Sequence, residues 1–290
     1  MITRRQLIQQ LGVLVPAASL GLPALVRCKD KRTHKPSQAE DSMTTPATTR
    51  FVAAYRRLSA AALAQRADRL WNILSECQLC PRACKVNRLA GQRGVCGLAD
   101  ELKVSSAFPH FGEERPLVGW AGSGTIFFSH CNLLCCFCQN WEIAHRGDGD
   151  PIRIEHLATI FLDLQKRGCH NINVVTPTHV VPHIVRAVCL AAAKGLHLPI
   201  VYNTGGYDSL DVIRLLDGIV DIYMPDCKFQ SSPPAKKFCR GAGDYPQVVR
   251  AVIEEMHRQV GLLQFDKKQI AQRGLLIRHL GMPNQLSGTE

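Results

Sequence analysis

The chain has 290 residues, of which 46% are hydrophobic and 20% are charged, so it can form one large α/β domain with a small appendage. This composition excludes global disorder. The formal net charge is +11, but residues 1–50 hold eight Lys or Arg against three Asp or Glu, a net of +5 (8 − 3), and the remaining excess is spread along the chain. The charge therefore does not indicate nucleic-acid binding.

Residues 1–28 have the features of an export signal. The segment Thr3-Arg-Arg-Gln-Leu-Ile8 is typical of a twin-arginine motif, and the apolar run Leu11–Val26 follows it. That run is short for a transmembrane span and suits a signal peptide, so we expect no membrane span. Met43 is an alternative start that would remove the whole segment. Residues 29–50 are polar and predicted to be a linker.

Residues 51–120 are predicted to form an N-terminal helix and a cysteine-rich lobe. Apolar side chains spaced along Phe51–Leu74 fit one face of an amphipathic helix. The lobe that follows has the pattern CxxCxxxC, then eleven residues and a fourth cysteine, formed by Cys77, Cys80, Cys84 and Cys96. Four soft ligands suit either an iron–sulfur cluster or tetrahedral zinc, so the lobe is a candidate second metal site.

Residues 121–290 alternate between predicted strands and helices. This alternation, with strands that are nearly continuous apolar runs, predicts a parallel sheet flanked by helices. The predicted strands are Thr125–Ser129, Asn171–Thr176, Pro199–Asn203, Val220–Met224 and Gly274–Leu280, and the predicted helices are Ile154–Arg167, Pro182–Lys194, Leu210–Leu216 and Tyr245–Leu263.

The loop after the first of these strands carries Cys131, Cys135 and Cys138 in the spacing CxxxCxxC. Three thiolates so spaced can hold three corners of a [4Fe–4S] cluster and leave one iron open. A structural zinc site, disulfide bonds, or ligation by Cys136 in place of Cys135 are the alternatives. The chain has 13 cysteines, and four isolated ones are expected to be small buried or half-buried residues: Cys169, Cys189, Cys227 and Cys239.

Several motifs in this order resemble the radical S-adenosylmethionine superfamily, in the branch related to pyruvate formate-lyase activating enzymes that carries an N-terminal CxLCPRxC motif. They are CQLCPRACKVNR (77–88), GSGTIFFS (122–129), CNLLCCFCQN (131–140), NINVVTPTH (171–179), VYNTGGY (201–207) and DIYMPD (221–226). The resemblance covers roughly residues 70–285 and implies a partial (β/α)6 barrel. It also implies a cluster on Cys131, Cys135 and Cys138, with Phe137 near the adenine of S-adenosylmethionine.

The resemblance further implies an oxidoreductase that reductively cleaves S-adenosylmethionine to a 5′-deoxyadenosyl radical for hydrogen abstraction. Its substrate would be a protein glycine or a small molecule, and its reductant a flavodoxin or ferredoxin. Cytoplasmic S-adenosylmethionine argues against export, so a cytoplasmic and a periplasmic location both stay open. Polar residues after later strands are the candidate cofactor-binding residues: Thr176, Thr178, Asn203, Asp226 and Arg278, with Thr204, Lys228 and His279 beside them.

Two departures from the family pattern bear on activity. His130 stands where the family usually has glycine, which would crowd the cysteine loop. The chain ends at Gly288-Thr-Glu290, soon after the fifth predicted strand, so we expect a barrel that lacks its last β/α unit and has an open sheet edge. The alternative function is therefore a non-catalytic iron–sulfur or zinc protein that transfers electrons or scaffolds a partner.

Overall fold

Helices and strands alternate along residues 51–288, the part of the chain that the computed structural model describes. The predicted signal (1–28), the linker (29–50) and the alternative start at Met43 lie outside the described residues. Within the described range, no helix combines the length and the apolar character needed to cross a membrane.

The helix predicted over Phe51–Leu74 is interrupted. A 3₁₀ helix, Ala54–Arg57, comes first, and helix α1 spans Ala60–Asn72 before a second 3₁₀ helix, Ile73–Glu76. Helix α1 begins after Ser59, whose hydroxyl accepts a hydrogen bond from the amide of Ala62 (3.1 Å). The single-helix prediction was wrong because Ser59 satisfies an orphan amide as an N-cap and so starts a new helix.

The described residues contain a nine-stranded mixed sheet with the strand order β3-β1-β2-β4-β5-β6-β8-β7, and β9 pairs with β6. The strands are β1 (Lys103–His110), β2 (Ser123–Phe128), β3 (Asp150–Pro151), β4 (Ile172–Val175), β5 (Ile200–Thr204), β6 (Ile222–Cys227), β7 (Gln264–Phe265), β8 (Ala271–Leu275) and β9 (Arg278–His279). The helices after α1 are α2 (Arg115–Val118), α3 (Ile154–Lys166), α4 (Val181–Ala193), α5 (Leu210–Leu215), α6 (Ser232–Phe238) and α7 (Tyr245–Val260).

The centre of the sheet is parallel, as the alternation of elements predicts. Strands β2, β4, β5, β6 and β8 pair in parallel, and the crossovers between them contain helices. The outer strands β1, β3 and β7 are antiparallel to their neighbours, so the sheet is mixed. Strand β1 lies in the sequence predicted as the cysteine-rich lobe, yet it pairs with β2.

The predicted strand Gly274–Leu280 is two strands, because β6 pairs first with β8 and then with β9. The expected open edge is partly covered: β7 pairs antiparallel with β8 through Gln264 and Phe265. Strand β7 lies between α7 and β8 in the sequence, and it occupies hydrogen-bonding positions of β8 that an unpaired edge would expose.

The two faces of the sheet differ in chemistry. Side chains such as Ile126 and Val174 pack with Phe161 of α3 and Val185 of α4 in the main apolar core. Side chains alternate between faces along each strand. The opposite face therefore carries a small apolar group around Met224, together with the polar residues described below.

Candidate functional site

A loop that leaves the carboxyl end of β2 carries the CxxxCxxC cysteines. Its backbone enters the left-handed region at His130 (φ 71°) and Leu134 (φ 51°), which lets the loop turn sharply. The amide of Leu133 donates a hydrogen bond to Sγ of Cys131 (3.3 Å). A donor of this kind favours the thiolate form of the cysteine.

The cysteines of the loop differ in their exposure to solvent. Cys135 is buried, Cys131 and Cys138 are half-buried, and Cys136 is exposed. Sγ of Cys135 lies 3.3 Å from Sγ of Cys239, which is fully buried at the end of α6. Cys239 is buried, as expected, and the fold brings its thiol beside that of Cys135, 104 residues away in the sequence.

The fold favours the protonated form of the Cys131, Cys135 and Cys138 thiols. Burial raises the pKa of Cys131 to about 11 and also raises that of Cys138. The hydrogen bond with Cys239, and then burial, raise the pKa of Cys135. Metal binding must displace these protons. Between residues 51 and 288, no group of three or more His, Cys, Asp or Glu side chains is placed so that it could hold a metal ion.

The fold makes room for His130, the residue expected to crowd the loop. Its ring packs between two glycines, Gly97 of the cysteine-rich lobe and Gly147 beyond the loop. A Cβ atom at Gly97 would lie 3.0 Å from Nδ1 of His130, and one at Gly147 would overlap the ring. Both glycines have positive φ values (87° and 74°) that favour glycine for conformational reasons as well.

Three predicted cofactor-binding residues meet in one polar cluster: Asn203 of β5, Asp226 of β6 and Arg278 of β9. Nε of Arg278 donates to Oδ1 of Asp226 (2.8 Å), and its Nη2 donates to Oδ1 of Asn203 (2.7 Å). Glu113, after β1, accepts from Nδ2 of Asn203 (3.0 Å) and pairs with Arg278 (3.3 Å). Asn173 of β4 also donates to Glu113 (2.9 Å). Glu113 and Asn173 were missed, because no pattern links them to the later strands.

Lys228 joins this cluster to the cysteine loop. Its Nζ donates to Oδ2 of Asp226 (2.6 Å). Burial opposes its positive charge, but Asp226 and the nearby Cys135 outweigh burial and raise the pKa of Lys228. Gly205 lies between Lys228 and the loop: a Cβ there would lie 3.4 Å from Cδ2 of Leu133 and 3.7 Å from Cε of Lys228.

Thr178, another predicted cofactor-binding residue, belongs to a separate buried network. Its hydroxyl donates to Oδ1 of Asp208 (2.7 Å), which also accepts from the hydroxyl of Tyr202 (2.9 Å). The Thr204 hydroxyl donates to the other oxygen of Asp208 (2.6 Å). Burial raises the pKa of Asp208, while the three donors oppose the rise. Thr176 is half-buried at the end of β4, in a left-handed conformation (φ 58°).

Phe137, expected near the adenine, is half-buried beside the third cysteine of the loop. Its ring meets that of Phe229 edge to face, with centroids 6.0 Å apart and an interplanar angle of 74°. Phe229 is fully buried after β6. This contact ties the cysteine loop to the segment that carries Lys228.

Arg82, in the motif CPRxC, bridges the cysteine-rich lobe and the CxxxCxxC loop. Its guanidinium donates to three backbone carbonyls, those of Asn132 (3.1 Å), Cys239 (3.0 Å) and Arg240 (2.7 Å). It also lies over the ring of Tyr207, 5.3 Å from its centroid. The motif marks the position, but only the fold shows what the arginine contacts.

The four cysteines of the lobe lie on two turns. Cys77 and Cys96 are buried, and Cys80 and Cys84 are half-buried. A Cβ atom at Gly94 would lie 3.5 Å from Sγ of Cys84 and 3.8 Å from Sγ of Cys96, so this glycine stands between the two sulfur atoms.

Comparison with known proteins gives a distant relative. The chain is 31% identical over 224 residues to an uncharacterized protein of Methanocaldococcus jannaschii, an alignment that covers 74% of this chain and 59% of that protein. The chain thus spans about three fifths of the length of this relative. No family model matches the chain.

Proposed function

We propose that the protein is a radical S-adenosylmethionine oxidoreductase of the glycyl-radical-activating type, built on a partial (β/α)6 barrel. Cys131, Cys135 and Cys138 would hold a [4Fe–4S] cluster. The cluster and S-adenosylmethionine together would supply a 5′-deoxyadenosyl radical that abstracts hydrogen from a protein glycine or a small molecule. A flavodoxin or ferredoxin would supply the electron.

The observation that carries this proposal is the position of three thiols, free of disulfide bonds, beside a charge-balanced polar cluster. The thiols lie on the loop after β2, and Lys228 lies between them and Asp226. The donor set fits an iron–sulfur cluster, since cysteine thiolates are its usual ligands and three of them leave one iron open.

The polar cluster suits the amino-acid part of S-adenosylmethionine. That part carries one carboxylate and one ammonium group. Arg278 and Lys228 are the cations available to a carboxylate, and Glu113 and Asp226 are the anions available to an ammonium group. These side chains are 10% to 30% exposed, so they are shielded from bulk water, which strengthens their interactions with a ligand.

The test is anaerobic reconstitution with iron and sulfide, followed by measurement of 5′-deoxyadenosine under dithionite. We expect the parent protein to form 5′-deoxyadenosine and the Cys135→Ala variant to form none. Cys136→Ala is the matched control: this neighbouring cysteine is exposed, so its loss should preserve both iron content and product. A fully loaded cluster that gives no 5′-deoxyadenosine, or a Cys135→Ala variant as active as the parent, would refute the proposal.

A second candidate function is that of an electron-transfer or scaffold protein. The observation that favours it is the buried Cys239 thiol 3.3 Å from Cys135, because a fourth thiolate could close the open iron. Calorimetry separates the two functions. Binding of S-adenosylmethionine that depends on the reconstituted cluster supports the enzyme, whereas binding that begins only after Cys239→Ser supports closure of the fourth iron by Cys239.

A further inference from the structure

The cysteine-rich lobe holds four thiols on two tight turns, none of them among the three cysteines of the CxxxCxxC loop. In the first turn, the amide of Lys85 donates to the carbonyl of Cys77 (3.0 Å), and the amide of Ala83 donates to that of Cys80 (3.0 Å). Ala83 (φ 39°) and Lys85 (φ 55°) both adopt left-handed conformations, which cost energy for residues with a side chain. The two backbone hydrogen bonds offset part of this cost.

The second turn closes on the first. The amide of Gly97 donates to the carbonyl of Gly94 (2.9 Å), and the amide of Val95 donates to Sγ of Cys84 (3.4 Å). This N–H group points at a sulfur atom of the other turn, so the hydrogen bond joins the two turns. Gly94, without a side chain, leaves the space between the sulfur atoms of Cys84 and Cys96 clear.

A buried cation lies near one of these thiols, that of Cys96. Arg88 is 0% exposed and belongs to no ion pair among the described residues. Its Nε donates to the carbonyl of Ala99 (2.6 Å) and its Nη1 to that of His179 (2.7 Å), while Nη2 has no hydrogen-bond partner within residues 51–288. A buried guanidinium without a counter-ion is costly. Burial raises the pKa of the Cys96 thiol and the charge of Arg88 opposes this rise, so Arg88 is close enough to compensate a negative charge on that sulfur.

We propose that Cys77, Cys80, Cys84 and Cys96 bind a second metal centre as four thiolates, and that Arg88 is its buried counter-cation. Four thiolates around a divalent zinc ion, or around a [4Fe–4S] core of charge +2, carry the same net charge of −2. That negative charge compensates the guanidinium and accounts for the absence of a carboxylate. Binding would release the thiol protons and draw the four sulfur atoms together.

The four ligands of this centre are separate from the three cysteines of the CxxxCxxC loop, so its test does not rest on the function proposed above. The full chain with Cys131, Cys135 and Cys138 all replaced by alanine should still purify with metal, measured as zinc, iron and acid-labile sulfide per chain. Zinc without sulfide identifies a single ion, and iron with sulfide identifies a cluster; either supports the centre. A preparation of this variant, folded by circular dichroism, that holds neither metal after reconstitution would overturn it.

Variants in the lobe locate the metal. Replacing Cys84 and Cys96 with serine should lower the metal content of the triple-alanine protein at least tenfold. Cys189→Ser is the matched control, since Cys189 is a half-buried cysteine on α4, remote in sequence from both groups, and its loss should leave the metal content unchanged. Equal metal loss in both variants would contradict ligation by the lobe.

The role of Arg88 is tested by measuring whether Arg88→Met lowers the melting temperature in one protein and raises it in another. In the metal-loaded protein, Arg88→Met should speed metal release to a chelator at least tenfold and lower the melting temperature, while Arg88→Lys keeps most of the retention. In a protein whose four lobe cysteines are serines, the guanidinium has no counter-charge, so Arg88→Met should raise the melting temperature. A fall in both backgrounds would show that Arg88 acts only through its two carbonyl contacts and would refute its role as counter-cation.

Discussion

The charge balance of the polar cluster predicts the effect of Asp226→Asn. The cluster holds two anions, Glu113 and Asp226, and two cations, Arg278 and Lys228, so it is neutral. The substitution keeps the volume of the side chain but removes the charge that contacts both cations, at 2.6 Å and 2.8 Å. The variant cluster therefore carries one uncompensated positive charge.

The expected loss of stability depends on how deeply the polar cluster is buried. Breaking a fully buried ion pair by removing one partner costs about 3–5 kcal/mol. The four side chains here are between 10% and 30% exposed, so water screens part of this loss. We expect Asp226→Asn to lower the free energy of unfolding by about 2–3 kcal/mol, a large share of the roughly 5–15 kcal/mol of a typical domain.

Urea denaturation of the metal-free protein, followed by circular dichroism, measures this change. Adding Lys228→Met to Asp226→Asn restores neutrality, so the double variant should be more stable than Asp226→Asn alone. Asp211→Asn is the matched control, because Asp211 forms an exposed ion pair with Arg214 and should change stability little. Strictly additive effects of the two cluster substitutions, or a loss no larger than that of Asp211→Asn, would refute the reasoning.

Three further predictions concern residues that stabilise the structure around the site. The folded protein holds the pKa of buried His179 at about 3, mainly by desolvation, whereas the unfolded chain binds that proton near pH 6.5, so lowering the pH from 7 to 5 should cost about 2 kcal/mol of stability. Urea titrations should show a shallower pH dependence in His179→Gln, and equal slopes would contradict this. Tyr202→Phe removes one hydrogen-bond donor to buried Asp208 and should lower the free energy of unfolding by about 1–2 kcal/mol. Thermal unfolding measures this loss, and unchanged stability would show that the hydrogen bond contributes nothing. Gly147→Ala should lower both stability and iron uptake, because the new methyl group overlaps the His130 ring. Adding His130→Gly should restore part of the loss. No restoration would show that the positive φ of residue 147 alone is responsible.

The elements that sequence patterns predicted well are those with strong local signals. Strands β4 and β5 and helices α3 and α4 lie within a residue or two of their predicted bounds, because each is a nearly continuous apolar run or has a clear helical period. Strand β1 was not predicted: it is half-exposed and contains serines and a proline, and its antiparallel pairing with β2 depends on tertiary structure.

The residues of the site also fall into a group that the sequence predicted and a group that it did not. The CxxxCxxC spacing identified the loop, and polar residues after strands identified Asn203, Asp226 and Arg278, since carboxyl ends of parallel strands meet at one edge of a sheet. Glu113 and Cys239 could not be predicted. Glu113 precedes a four-residue helix and reaches a residue 165 positions away, and Cys239 reaches Cys135 from a helix end with no motif of its own.

The two groups of cysteines are mechanically connected through Arg82 and His130. Arg82 belongs to the first turn of the lobe and holds the carbonyl of Asn132 in the CxxxCxxC loop, and His130 of that loop packs on Gly97 of the second turn. Binding that orders one region must then favour order in the other, and thermodynamic linkage makes the effect reciprocal. A metal that fixes the lobe would thereby fix two anchor points of the loop before the loop binds its own ligand. Arg82 contacts a backbone carbonyl, and the His130 ring contacts Gly97, which has no side chain of its own. Both connections therefore depend on backbone positions, which the metal in the lobe would control.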